Sequence, residues 1–225
     1  MSSFVLKLLA LILMVIDHVG YFFIRNEYYI YFRYIGRLAM PIFFFLFVEG
    51  FIKTSNKKKH FWRLILYSFI MFLGNAIFYF ILPYHYPFKT NIIFSMLVCY
   101  GILWILETDT QIWMKIFSFI ILSTFSYFVE YSFLVVILSL IFYAYLTGKL
   151  NKPLFSIIYI VSSLTYCYFL SPKIQWFMIF SLPFMLLYNR KQGYKSKILQ
   201  HGFYILYILH LWFFLILKNF GFVIK

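Results

Sequence analysis

Acidic side chains are scarce: 6 Asp and Glu stand against 20 Lys and Arg in 225 residues, and only 12% of the chain is charged. A soluble domain carries about 25% charged residues, so a surface built to face water is missing. Cysteine is scarcer still. Cys99 and Cys167 each sit inside an apolar run, which excludes a disulfide scaffold and reads as two thiols acting as small hydrophobes. There is no Gly-rich phosphate loop, no G-x-S-x-G elbow, no zinc signature and no haem pattern, so no metal is expected. Strict polar–apolar alternation, the mark of a membrane barrel strand, is absent as well. What remains is 64% hydrophobic and 26% aromatic residues, with a mean hydropathy of +0.89. Lipid is the solvent for most of such a chain. The formal net charge of +14 falls in short loops, where it speaks for topology and anionic headgroups and not for nucleic acid.

Nine apolar stretches stand out, at about 4–24, 34–52, 61–82, 91–106, 112–127, 131–147, 154–170, 174–188 and 201–219. A helix needs about 20 residues to cross the hydrocarbon. The first three and the last meet that length; those starting near 112, 131, 154 and 174 are short. Runs such as PIFFFLFVEG are continuously apolar, and in lipid the backbone must be satisfied within helices. The expected fold is an all-α integral membrane protein, a polytopic bundle of about nine transmembrane helices forming one domain over residues 1–225. The first run carries Asp17 and His18 and lacks a small-x-small cleavage site, so it is expected to stay as a helix. Nine crossings would put 13 of the 20 basic residues on one side, which places the N-terminus in the cytoplasm of a bacterial cell by the positive-inside bias.

Polar residues inside these runs are the candidates for function, because a charge exposed to lipid costs at least a few kcal/mol. Asp17 and His18 lie in LKLLALILMVIDHVG. A neutral imidazole can take the proton of an attacking hydroxyl or amine, so His18 is a candidate general base; the alternative is that both residues only fix the bundle. Arg33 and Arg37 share a helix face, and Arg37 either pairs with Asp17 or snorkels to the interface. Pro41 is expected to kink that helix or open a local cavity. Glu49 falls beside KTSNKKKHFWR, whose Lys53 and Arg63 suit anionic lipid or the phosphates of a cofactor. Asn75 and Asn91 read as interhelical hydrogen-bonding residues, His85 as an interfacial loop residue. Glu130 is either solvated or closes the outer end of a polar cavity. Tyr204, Tyr207 and His210 repeat every three residues on one helical face, with His201 at the interface.

Taken in order, LKLLALILMVIDHVG, YIGRLAMPIFFFLFVEGF, KTSN…FWRLILYSF, NIIFSMLV, LYNRKQG and FYILYILHLWFFLIL resemble the TraX family, named for a membrane protein linked to N-terminal acetylation of conjugative pilin. That family is similar in turn to the membrane acyltransferase-3 group, in which an arginine, ten intervening residues and a histidine mark the first helix. Lys7 and His18 have that separation here, with Lys in place of Arg. Arg190 stands where the late turn often has Gly. The resemblance implies a membrane acyltransferase that moves an acetyl or similar acyl group from cytoplasmic acyl-CoA to a hydroxyl or amine of an extracytoplasmic peptide or glycan. It implies His18, Asp17, Arg37 and His210 as catalytic residues. It implies Lys7, Lys53, Arg63, Tyr188, Asn189, Lys191 and His201 around the donor, and Glu49, Asn91, Tyr204 and Tyr207 around the acceptor. A transporter of a small metabolite or lipid-linked precursor, and a non-enzymatic assembly factor, are the alternatives.

Overall fold

A computed structural model of the chain describes residues 1–83, 91–128, 130–170, 173–194 and 196–222, excepting the side chains of 128, 173 and 197–200. His85, and Lys89, Lys195 and Lys225 from the topology count, lie outside the described residues. The helices are α1 (Ser3–Phe23), α2 (Tyr29–Gly36), α3 (Ala39–Lys53), α4 (Lys57–Ile81), α5 (Ile92–Glu107), α6 (Ile112–Phe125), α7 (Phe133–Leu146), α8 (Lys152–Phe169), α9 (Leu182–Leu186) and α10 (Lys197–Asn219), with 3-10 turns at Ser126–Phe128 and Lys173–Ser181. Their starts are written in the sequence. Asn56, Asn91 and Asn151 accept from Lys59, Phe94 and Leu154 backbone N–H groups as N-caps of α4, α5 and α8, and α8 adds Pro153 in its first turn, where its missing N–H is harmless.

The expected nine-helix transmembrane bundle does not hold. Among the described residues four segments are long and apolar enough to cross a membrane: Ser3–Phe23, Tyr29–Lys53, Lys57–Ile81 and His201–Asn219. The apolar helices Ile92–Glu107, Ile112–Phe125, Phe133–Leu146 and Ile174–Leu186 are shorter. At ~1.5 Å per residue, helices of this length fall short of a ~30 Å hydrocarbon core. Hydropathy had marked them as spans, but length withholds that role. The cytoplasmic assignment of the N-terminus falls with the count, because it depended on distributing basic loops over nine crossings.

The second span is the centre of the molecule. Of its apolar stretch 72% is buried, against 39%, 28% and 28% for the other three. Phe44, Phe45, Val48 and Phe51 of α3 are fully enclosed. By contrast, Trp62, Leu66, Phe69, Phe72, Ile77 and Phe80 leave one face of α4 exposed. That much apolar surface is untenable in water and suited to lipid. Within the second span the helix breaks between Gly36 and Ala39. Pro41 is the cause: its ring excludes the carbonyl four residues earlier, that of Arg37, and it offers no N–H to that oxygen. The kink expected of Pro41 therefore falls one turn upstream, and leaves Arg37 at a helix end.

Close approach at two glycines joins α1 to the second span and α10 to α4. A Cβ on Gly36 would lie 2.2 Å from Cβ of Asp17, and one on Gly74 would lie 1.9 Å from Cζ2 of Trp212. The second contact docks α10 on α4, where Trp212 Nε1–H donates to Asn75 Oδ1 at 3.3 Å. Gly74→Ala is expected to cost about 1–3 kcal/mol by overpacking, or roughly 5 °C in thermal midpoint for a chain of this size, followed by tryptophan fluorescence. An unchanged midpoint would mean that α10 does not pack there.

Candidate active site

Two polar centres lie on α1, one residue apart in sequence and distinct in their partners. Asp17, 8% exposed, accepts from Arg33 Nη1 at 2.7 Å and from Arg37 Nη2 at 3.0 and 3.1 Å. Arg37 Nη1 donates further to Gln175 Oε1 at 3.0 Å. The helix break at Arg37 and the absent side chain of Gly36 let both guanidinium groups reach one carboxylate. Of the two fates open to Arg37, pairing with Asp17 is the one realised. Arg37 Nε is buried and has no hydrogen-bond partner among the described residues.

His18 points elsewhere. Its Nδ1 lies 2.9 Å from Nε2 of His210 on α10, and Nδ1 of His210 lies 2.9 Å from the Leu206 carbonyl oxygen. A carbonyl only accepts, so His210 Nδ1 carries the hydrogen. In a neutral His210 ring, Nε2 is then bare and accepts from His18 Nδ1–H. Neutral His18 is thereby left with Nε2 as its basic nitrogen. Asp17 is not the group that orients this imidazole; His210 is.

At the end of the bundle that carries the N-terminus, backbone and side chains form a knot. Ser3 N–H donates to the Lys191 carbonyl at 2.9 Å, and Asn189 N–H to the Met1 carbonyl at 3.0 Å. Glu49 accepts from the hydroxyls of Ser3 and Tyr188 and from Lys53 Nζ at 2.5 Å. Lys53 also donates to the Arg190 carbonyl at 2.7 Å. Asn189 Oδ1 takes the Lys191 N–H at 3.1 Å. Arg190 sits at φ +60°, a left-handed conformation in which glycine is the unstrained choice; the departure from Gly noted in the sequence falls on that residue.

Beside the knot opens a vestibule of about 360 Å³, lined by Lys7, Glu49, Lys53, Lys59, His60 and Arg63 among others. It adjoins an inner cavity of about 150 Å³, whose walls include Met14, Phe43, Phe47, Met96, Tyr204 and Tyr207. Lys7, Gly50, His60, Arg63 and Phe203 line both. Polarity thus falls along one direction, from cationic to apolar. Met14 precedes His18 by one turn of α1, and Tyr207 precedes His210 by one turn of α10; His18 and His210 themselves line neither cavity.

The remaining candidates have structural partners. Asn91 caps α5 and donates through Nδ2 to the Ser68 carbonyl at 3.1 Å. Tyr204 stacks on Tyr67 at 4.9 Å, whose hydroxyl meets His201 Nδ1 at 2.7 Å. Tyr207 OH accepts from Ile92 N–H at 3.4 Å. Lys7 lies over the Phe203 ring at 5.7 Å. Among the described residues no group of three or more His, Cys, Asp or Glu could hold a metal. Reading the sequence missed Gln175 and His60. His60 had a signal: with Arg63 and Tyr67 it recurs at helical spacing on one face of α4.

Glu130, in the turn before α7, faces Arg37, Arg33 and Asp17. Burial pushes its carboxyl up from 4.5 to about 7, while Arg37 draws it down. A carboxyl raised in the folded state binds its proton more tightly there, so its contribution is complete below pH 4.5 and lost as pH rises through about 7. Glu130→Gln is expected to match wild type in thermal midpoint at pH 4.5 and to exceed it at pH 7.5. Equal midpoints at both pH values would show that Glu130 does not titrate in this window.

Comparison with known proteins follows the same outline. The family described as "TraX protein" matches residues 2–218. The probable fimbrial assembly protein FimC, serogroup H1, of Dichelobacter nodosus is 37% identical over 71 residues, which are 31% of this chain and 29% of that protein. The chain thus aligns with less than a third of that relative's length. No solved structure matches.

Proposed function

The chain belongs to the TraX family, an acetylation-related family of bacterial membrane proteins, and from that premise we propose that it is an acyl-CoA-dependent acyltransferase of the cytoplasmic membrane. The observation that carries the reading is the relay Leu206 C=O···H–Nδ1 His210 Nε2···H–Nδ1 His18. It fixes the tautomer in which His18 Nε2 takes a proton. The vestibule supports a donor with a polyanionic head: Lys7, Lys53, Lys59 and Arg63 face it with Glu49 as the carboxylate among them. The smaller cavity, with Met14, Phe43, Phe47 and Met96 in its wall, suits the uncharged acyl end of such a donor.

In this reading His18 Nε2 removes the proton of an acceptor hydroxyl or amine as its oxygen or nitrogen attacks the thioester carbonyl. The C–S bond then breaks. The departing thiolate takes the proton from His18, leaving acylated acceptor and free CoA thiol. His210 accepts from His18 and so positions it and steadies the imidazolium, in place of donating to the oxyanion. Arg37, with its unpartnered Nε, is the candidate source of positive charge for that oxygen. The fimbrial relative favours a peptide subunit of a surface appendage as acceptor over a glycan.

Purified protein in lipid nanodiscs, given labelled acetyl-CoA and an extract of its own cell envelope, is expected to release one free thiol per acyl group transferred. Uptake or counterflow of a labelled solute without thiol release would replace this reading with transport.

A further inference from the structure

His60 occupies the seam between the vestibule and the inner cavity and lines both. It is 6% exposed, and its Nδ1 is buried with no hydrogen-bond partner among the described residues. Phe47 and Tyr100 pack against its ring, with centroids at 6.4 and 5.0 Å. Gly50, across from it, brings no side chain into the gap: a Cβ there would come within 3.8 Å of His60 Cε1. An imidazole placed for packing alone would be better replaced by Phe, since an unpaired buried polar atom is a standing cost.

The two neutral tautomers differ in that cost. A buried N–H without an acceptor is rarer and less tolerable than a bare lone pair. With Nδ1 enclosed, the favoured ring carries its hydrogen on Nε2, the nitrogen not enclosed as an orphan. His60 is then a hydrogen-bond donor at a throat, and its natural ligand group is a carbonyl oxygen.

The place of the throat says which carbonyl. His60 stands beside Lys7, and Lys7 lies 11 residues before His18, ~16 Å along α1. The reacting thioester belongs at His18, so the group at His60 lies well behind it, between a polyanionic head and a reactive end. In a CoA thioester that stretch is the pantetheine arm, an uncharged chain interrupted by amides. We infer that His60 reads this arm, donating from Nε2 to an amide carbonyl as the ligand passes from the cationic vestibule to the apolar cavity. The inference rests on the donor reading above and adds to it a selectivity for amide-bearing carriers.

The test is CoA binding to the full chain in nanodiscs by calorimetry, with two ligands and three proteins. The ligands are CoA and a CoA analogue in which –CH2–CH2– replaces each amide of the pantetheine arm, so that the carbonyl acceptors are lost without creating charged amines. His60→Phe is expected to bind CoA about three- to tenfold more weakly. His60→Gln, which keeps an N–H donor of similar reach, is expected to stay close to wild type. Wild type should lose the same factor on the analogue, and His60→Phe should lose nothing further there, the non-additivity expected of one shared contact. The wild-type loss on the analogue is read without any substitution, so it stands even if a variant fails to fold. Equal binding of CoA and analogue by wild type, or additive losses in His60→Phe, would overturn the role of His60 and leave the donor reading intact. Wild type that binds no CoA would overturn the donor reading itself.

Discussion

His18→Asn is expected to lower acyl transfer by roughly 10²–10⁴-fold, the usual contribution of a positioned general base, while CoA binding stays unchanged. Asn is the informative replacement. Its Nδ2–H can still donate to His210 Nε2, so the contact between α1 and α10 survives and only the basic nitrogen is removed. His18→Ala removes both and should be no more active. His210 acts through His18, and its variants should separate from His18 variants in kind. His210→Gln offers a carbonyl oxygen near the position of Nε2 and should retain part of the rate; His210→Leu should lose more. Both are expected to lower kcat with the KM for donor held, because neither change reaches the vestibule. Transfer at wild-type rate by His18→Asn would remove His18 from the chemistry, whatever its partner.

Much of this arrangement was visible in the chain, and the reasons differ from element to element. The four spans are legible because length and hydropathy agree in them. The 14- to 16-residue helices α5, α6 and α7 misled because hydropathy reports only that a segment avoids water and says nothing of whether it is long enough to cross lipid: α7 is buried against α3, while α6 has no buried residue and leans on α5. The Asp17–Arg37 pair follows from local rules: two costly charges, a matching depth and a proline that breaks the helix at the right residue. The His18–His210 contact joins residues 192 apart, and no periodicity links them; His210 drew notice for its helical face with Tyr204 and Tyr207 and through the family resemblance, neither of which points to His18 as its partner. The family resemblance put Glu49 around the acyl acceptor. Its partners Ser3 and Tyr188 come from opposite ends of the chain, so the knot they form was invisible until the ends met. His60 was masked by its setting, a lysine run that reads as headgroup contact.

Asp17→Ala is expected to destabilise the protein by about 3–5 kcal/mol, the cost of leaving buried charge unpaired. Arg33 and Arg37 would then face each other over the gap, with side chains 16% and 9% exposed, and Gln175 is a poor substitute for a carboxylate. The loss should appear as a lower midpoint in denaturant titration in mixed micelles. It should also appear as slower transfer, because Asp17 ties the segment bearing His18 to the break at Arg37. Removing the second charge distinguishes the ion pair from simple packing. The double variant Asp17→Leu, Arg37→Met carries no opposed buried charge at this point, and Arg33 has a stacking partner in Tyr21 at 5.2 Å. It is expected to regain a large part of the stability lost by Asp17→Ala, since an apolar replacement of a whole buried pair is often neutral. Transfer should not return with it, because Arg37 is absent. If the double variant is as unstable as the single one, Asp17 holds α1 by its volume alone, and the carboxylate beside His18 has no electrostatic task in the fold.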